Sequence, residues 1–106
     1  MNKPMTYEEF KHLAEHPQHR NKVKPFDIFK QAHDCSFRNK EQIEKSETCG
    51  CFSCGRIFPS AEVTDYVSDE EPTALCPYCH IDSVIGDASG FPITGKFLKE
   101  MEKRWF

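Results

Sequence analysis

Cys51-Phe52-Ser53-Cys54 and Cys76-Pro77-Tyr78-Cys79 are two C-x-x-C pairs with 21 residues between them. Two cysteines three apart on a tight turn present both sulfurs on one side. Two such turns brought together offer a dication four thiolates in a tetrahedron, which is the donor set of structural zinc. Gly55 directly follows the first pair. A glycine there permits the positive φ of the turn and lets main-chain N–H groups approach the sulfurs. The expected cofactor is therefore one structural Zn2+ held by Cys51, Cys54, Cys76 and Cys79. Catalytic zinc keeps a coordination position open for water, and four cysteines leave none. No H-x-E followed by P-C-x-x-C, the arrangement of zinc deaminases, is present. No catalytic residue is assigned, and the chain is not expected to be an enzyme.

Two cysteines remain. Cys49 stands two residues before Cys51, and C-x-C suits a single tetrahedral turn poorly, so Cys49 is read as a neighbour of the site. Cys35 is read as a small buried hydrophobe. A second metal held by His33, Cys35 and Cys49 is the alternative use of these groups. His80 reads as a solvent-facing group or one lying behind the ligands.

These residues need elements to position them. From Thr48 the chain reads as a cysteine turn, then a β-type run over Glu62 to Val67, a turn at 68–72 and a strand at Thr73 to Leu75, together a hairpin. That hairpin returns the second cysteine pair to the first. Pro77 suits a first helical position, Tyr78, Ile81 and Ile85 fall on one face, and Gly86 is a stop. This predicts a short helix opened by the second pair. Asp82 then becomes a first-turn acid favouring the helix dipole. Asp87 to Pro92 reads as a loop. Phe97, Leu98, Met101 and Trp105 form one stripe of a C-terminal helix over residues 94–106.

Upstream, Thr6 to Glu15 predicts an amphipathic helix with Thr6 as N-cap and Phe10 and Leu13 facing inward. Residues 16–25, basic and bracketed by prolines, read as a linker. Phe26, Phe29 and Ala32 predict a helix to about His33, Asp34 to Asn39 a turn, and Lys40 to Glu47 a largely solvated helix around Ile43.

The chain has 106 residues, 38% hydrophobic and 29% charged, with a net charge of −3. That length holds one domain, read as a helical part at 1–47 and a zinc-binding core with the C-terminal helix at 48–106. A core this small gains from a metal staple. The N-terminus is polar with no apolar signal region, and no run approaches a membrane span, so the expected address is cytoplasmic, where metal prevails over disulfide. Residues 57–95 contain seven acids and no Lys or Arg. The basic residues lie outside, at 20–24, at Arg38 to Lys40, at Arg56 and at 96–104. Phosphate backbones need clustered positive charge, so the metal-bearing stretch points to a protein partner. Nucleic-acid binding through the basic segments is the alternative.

A Cys-x-x-Cys-Gly turn, a hairpin and a second Cys-x-x-Cys, over Cys51 to Gly86, resemble treble-clef and zinc-ribbon-type fingers with four cysteine ligands. The resemblance implies a structural zinc and partners ranging from proteins to nucleic acids. In the HNH nucleases of that group a histidine on the second hairpin strand is the base. Thr73-Ala74-Leu75 supplies none, and nuclease activity is not carried over. Both cysteine turns also resemble those of rubredoxin, which makes iron the alternative metal, although the intervening segment lacks the rest of that pattern. Residues 76–106 further resemble small uncharacterised bacterial cytoplasmic proteins, which implies bacterial origin and no function. The expected fold is α+β: a zinc-stapled hairpin core, treble-clef or zinc-ribbon-like, flanked by N-terminal helices and a C-terminal helix. The expected function is a non-catalytic protein-interaction or regulatory module.

Overall fold

In the computed structural model, residues 5–15, 28–68 and 70–106 are described. The predicted linker at 16–25 and Phe26 lie outside them. The chain forms helix α1 (Tyr7–Glu15), α2 (Ile28–Asp34) and α3 (Lys40–Glu44), then strands β1 (Thr48–Cys51), β2 (Ile57–Pro59), β3 (Tyr66–Val67), β4 (Thr73–Ala74) and β5 (Val84–Gly86), and ends in α4 (Gly95–Trp105). This is a small α+β arrangement. No helix among the described residues is long and apolar enough to cross a membrane.

Local chemistry starts the two longer helices. The Thr6 hydroxyl accepts from Glu9 N at 3.1 Å while the Glu9 carboxylate accepts from Thr6 N at 3.0 Å, a reciprocal capping box. Thr94 Oγ1 accepts from Phe97 N at 3.2 Å and opens α4. Lys11 of α1 donates to Glu100 of α4 at 3.4 Å across the surface.

β1 is the centre of an antiparallel sheet in the order β2-β1-β5, with Cys49 opposite Phe58 on one side and Gly86 on the other. β3 and β4 form a separate short hairpin, pairing Tyr66 with Ala74 and Val67 with Thr73. One apolar cluster joins Phe10, Ile28 and Ala32 of the N-terminal helices to Phe52, Ile85, Phe91 and α4 residues Phe97, Leu98 and Met101. Phe10 is its hub, meeting Phe29, Phe91 and Phe97 edge-on at 5.5, 6.2 and 4.8 Å. The second cluster gathers Ile43, Cys49, Cys51, Phe58, Val63, Ala74, Cys76 and Val84 beneath the cysteine turns. Gly50 lets α4 lie close to β1: a Cβ there would stand 2.9 Å from Leu98 Cδ1 and 3.1 Å from Ile93 Cγ2.

The predicted helix over residues 76–85 does not form. Cys76 to Cys79 make a turn, His80 takes a left-handed φ of 64°, and Val84–Gly86 extend as β5. A left-handed residue cannot propagate a right-handed helix, and pairing with β1 satisfies the main chain that follows. Tyr78 and Ile81, expected to share one helix face with Ile85, are exposed while Ile85 is buried. The predicted strand over Glu62 to Val67 is shorter: residues 60–62 form a 3-10 turn and only Tyr66–Val67 pair. α3 stops at Glu44 rather than Glu47, where Lys45 N and Ser46 N bond back to the last carbonyls. In α4, Phe97, Leu98 and Met101 are buried, whereas Trp105 at the end of the stripe is 37% exposed.

Candidate metal centre

Each cysteine pair occupies a turn between strands. The first turn joins β1 to β2, and the second lies on the path from β4 to β5. Their main chains are near-duplicates. Gly55 N donates to Cys51 O at 2.8 Å and His80 N to Cys76 O at 3.0 Å; Cys51 N donates to Arg56 O and Cys76 N to Ile81 O, both at 3.0 Å. Gly55 has φ 79° and His80 φ 64°, so the residue after each second cysteine is left-handed. Ser53 N points at Cys51 Sγ and Tyr78 N at Cys76 Sγ, each at 3.4 Å.

These two turns bring Cys51, Cys54, Cys76 and Cys79 together with all four sulfurs within 4.8 Å of one another. Cys51 Sγ lies 3.6 Å from Cys79 Sγ, and Cys54 Sγ lies 3.7 Å from Cys76 Sγ. A tetrahedron with zinc–sulfur bonds of about 2.3 Å has edges of about 3.8 Å. The sulfurs are thus spaced for one tetrahedral ion, and no disulfide joins them. The donor chemistry and the geometry both fit one metal ion.

The four thiols sit in unlike electrostatic surroundings. Burial pushes the Cys51 thiol up to about 12, against the pull of the Ser83 hydroxyl and the N–H groups of Cys54 and Ser53. Burial likewise raises Cys54. Cys76 is pushed up by burial, but the N–H groups of Cys79 and Tyr78 and the neighbouring sulfurs outweigh it and hold the group below its ordinary value. Were all four deprotonated, sulfurs this close would repel one another, and a dication held among them would balance that charge. The N–H groups of Ser53, Tyr78 and Cys79 then disperse the remaining negative charge over the turns.

Two supporting residues carried no signal in the sequence. Ser83 is buried, its hydroxyl 3.1 Å from Cys51 Sγ and its carbonyl accepting from Phe52 N at 3.1 Å. Asn39 is buried as well. Its Nδ2 donates to Val84 O at 2.7 Å and its Oδ1 accepts from Ala74 N at 3.0 Å. That one side chain ties β4 to β5, two strands that do not pair with each other, and so holds both approaches to the second turn.

Cys49 and Cys35 lie outside the cluster. Among the described residues no other group of three or more His, Cys, Asp or Glu side chains is placed to hold a metal, so His33, Cys35 and Cys49 are not brought together. Cys49 is fully buried in the second core cluster, where burial and then the Asp87 carboxylate push its thiol up to about 12. Cys35 packs against the first cluster. His80 is exposed, as expected of a solvent-facing group. Asp82 is exposed and starts no helix, while Asp87 accepts from Glu47 N and Thr48 N at 3.1 and 3.4 Å. Comparison with known protein families, curated proteins and solved structures found no match to the chain.

Proposed function

We propose that this chain is a structural-zinc protein that serves as a non-catalytic protein-interaction or regulatory module. The observation that carries this reading is the convergence of the sulfurs of Cys51, Cys54, Cys76 and Cys79 within 4.8 Å. A zinc ion there has a full shell, so it staples the two turns and activates no water. The ribbon form suits the site better than the treble clef, because a strand rather than a helix follows the second cysteine pair.

A protein partner is favoured by the sign of the charge around the metal. Residues 57–95 have no Lys or Arg, and the guanidinium of Arg56, just before them, lies over the Tyr78 ring at 4.8 Å. Arg38 and Lys40, two of the cations proposed for nucleic-acid contact, share a groove with Glu41, Glu44, Glu70 and Glu71. Lys40 is paired with Glu44 and Lys45 with Glu41 at 2.9 Å. Such interleaving cancels the field that a polyanion would follow.

Titration of the full-length chain against labelled DNA and RNA at two salt concentrations tests this. The expected result is no binding tighter than ~10⁻⁴ M at physiological salt, the weak end of non-specific affinity. Binding that falls steeply with salt would put nucleic acid in place of the protein partner. Isolation of the chain from native cells with a stoichiometric protein partner is the positive arm of the same test.

A further inference from the structure

The four clustered cysteines are unequal: Cys51 and Cys76 are buried, Cys79 is half-buried and Cys54 is exposed. Cys54 is also the last residue of its turn, and its sulfur lies 3.7 Å from that of Cys76. A thiolate is the form that reacts with peroxides, and exposure decides which thiolate is reached. We propose that Cys54 is a peroxide-sensitive modification site whose oxidation releases the metal. This rests on the structural-zinc reading above.

The chemistry balances without further reagents. The Cys54 thiolate attacks one oxygen of hydrogen peroxide, an S–O bond forms, the O–O bond breaks and hydroxide leaves, giving a sulfenic acid. Cys76 Sγ, 3.7 Å away, then attacks that sulfur, an S–S bond forms and a second hydroxide leaves. Two thiolates have given up two electrons and the peroxide has taken them. With Cys54 and Cys76 joined, only Cys51 and Cys79 would remain to hold a zinc ion, too few donors to retain it.

The first turn is built to report that loss. Phe52, between the two cysteines of the pair, is 2% exposed and belongs to the core cluster of Phe10, Phe97 and Leu98. Its ring lies 6.0 Å from Phe106 and 6.1 Å from His33, and His33 in turn packs on Trp105 at 4.3 Å. Freeing the turn therefore disturbs the surroundings of Trp105, the one tryptophan of the chain.

The experiment treats the full-length protein, its zinc content measured first, with hydrogen peroxide in the presence of a chromophoric zinc chelator. We expect one zinc released for every two thiols lost, a mapped disulfide that contains Cys54, and a shift in Trp105 emission. Dithiothreitol and added zinc should reverse all three. A double variant, Cys35→Ser with Cys49→Ser, should release zinc at the same rate within about twofold, since neither sulfur takes part. A zinc-loaded chain that keeps its metal while Cys35 is oxidised, or a first disulfide lacking Cys54, overturns this proposal alone. A chain with no zinc at the outset overturns the structural-zinc reading and this proposal with it.

Discussion

The hydroxyl of Ser83 lies 3.1 Å from the sulfur of Cys51, in a buried position just before β5. With a metal on Cys51 the thiolate would have no proton to give, and the serine would donate. The bond links a fully buried sulfur of the site to the strand that the second turn leads into.

Ser83→Ala should weaken metal retention by about 10- to 100-fold, the usual cost of removing a group that hydrogen-bonds a ligand. Competition against a chelator of known affinity measures it. Unchanged affinity would mean that the hydroxyl merely fills space.

Asn39→Ala should destabilise the fold although Asn39 is not one of the clustered groups. It leaves the Ala74 N–H and the Val84 carbonyl without their partner in a buried region, at about 1–3 kcal/mol for each group left unpaired. Denaturant unfolding of the metal-loaded chain reads the loss. A change within ~0.5 kcal/mol, the range of ordinary surface substitutions, would contradict the bridging role.

The left-handed residues of the two cysteine turns, Gly55 and His80, should respond in opposite ways. Gly55→Ala places a side chain at φ 79° and should cost about 1–2 kcal/mol. His80→Gly removes the same strain at φ 64° and should be neutral or stabilising by up to about 1 kcal/mol. Equal losses at both sites in denaturant unfolding would show that the two turns are not equivalent.

The cysteine cluster was legible in the sequence because C-x-x-C fixes its own geometry within one turn and needs no distant residue to do so. α1 and α4 were legible for a related reason: the Thr6 cap and the Phe97, Leu98, Met101 stripe are local patterns. β1 was not, because Thr48-Cys49-Gly50-Cys51 has little strand propensity and is extended only by pairing with β2 and β5. The false helix after Cys76 has the same origin. Tyr78, Ile81 and Ile85 have helical spacing, but Val84 and Ile85 are buried by a strand far back in the chain, against Cys51 and Gly50. Ser83 and Asn39 could be found only once that pairing had placed them.

Serine substitution separates ligands from bystanders. Cys51→Ser, Cys54→Ser, Cys76→Ser and Cys79→Ser should each lose the metal and loosen the β1–β5 sheet, seen as lost proteolytic protection. Cys35→Ser and Cys49→Ser should keep it, because neither sulfur belongs to the cluster. Loss of metal from Cys49→Ser with retention in Cys51→Ser would reverse the assignment.

The metal content of the full-length protein, purified without added metal or chelator, tests the central claim most directly. Four thiolates spaced for one tetrahedral ion predict about one zinc per chain by elemental analysis, with no visible absorption. Iron with a sulfur-to-metal charge-transfer band, or a folded protein with no metal, would contradict it.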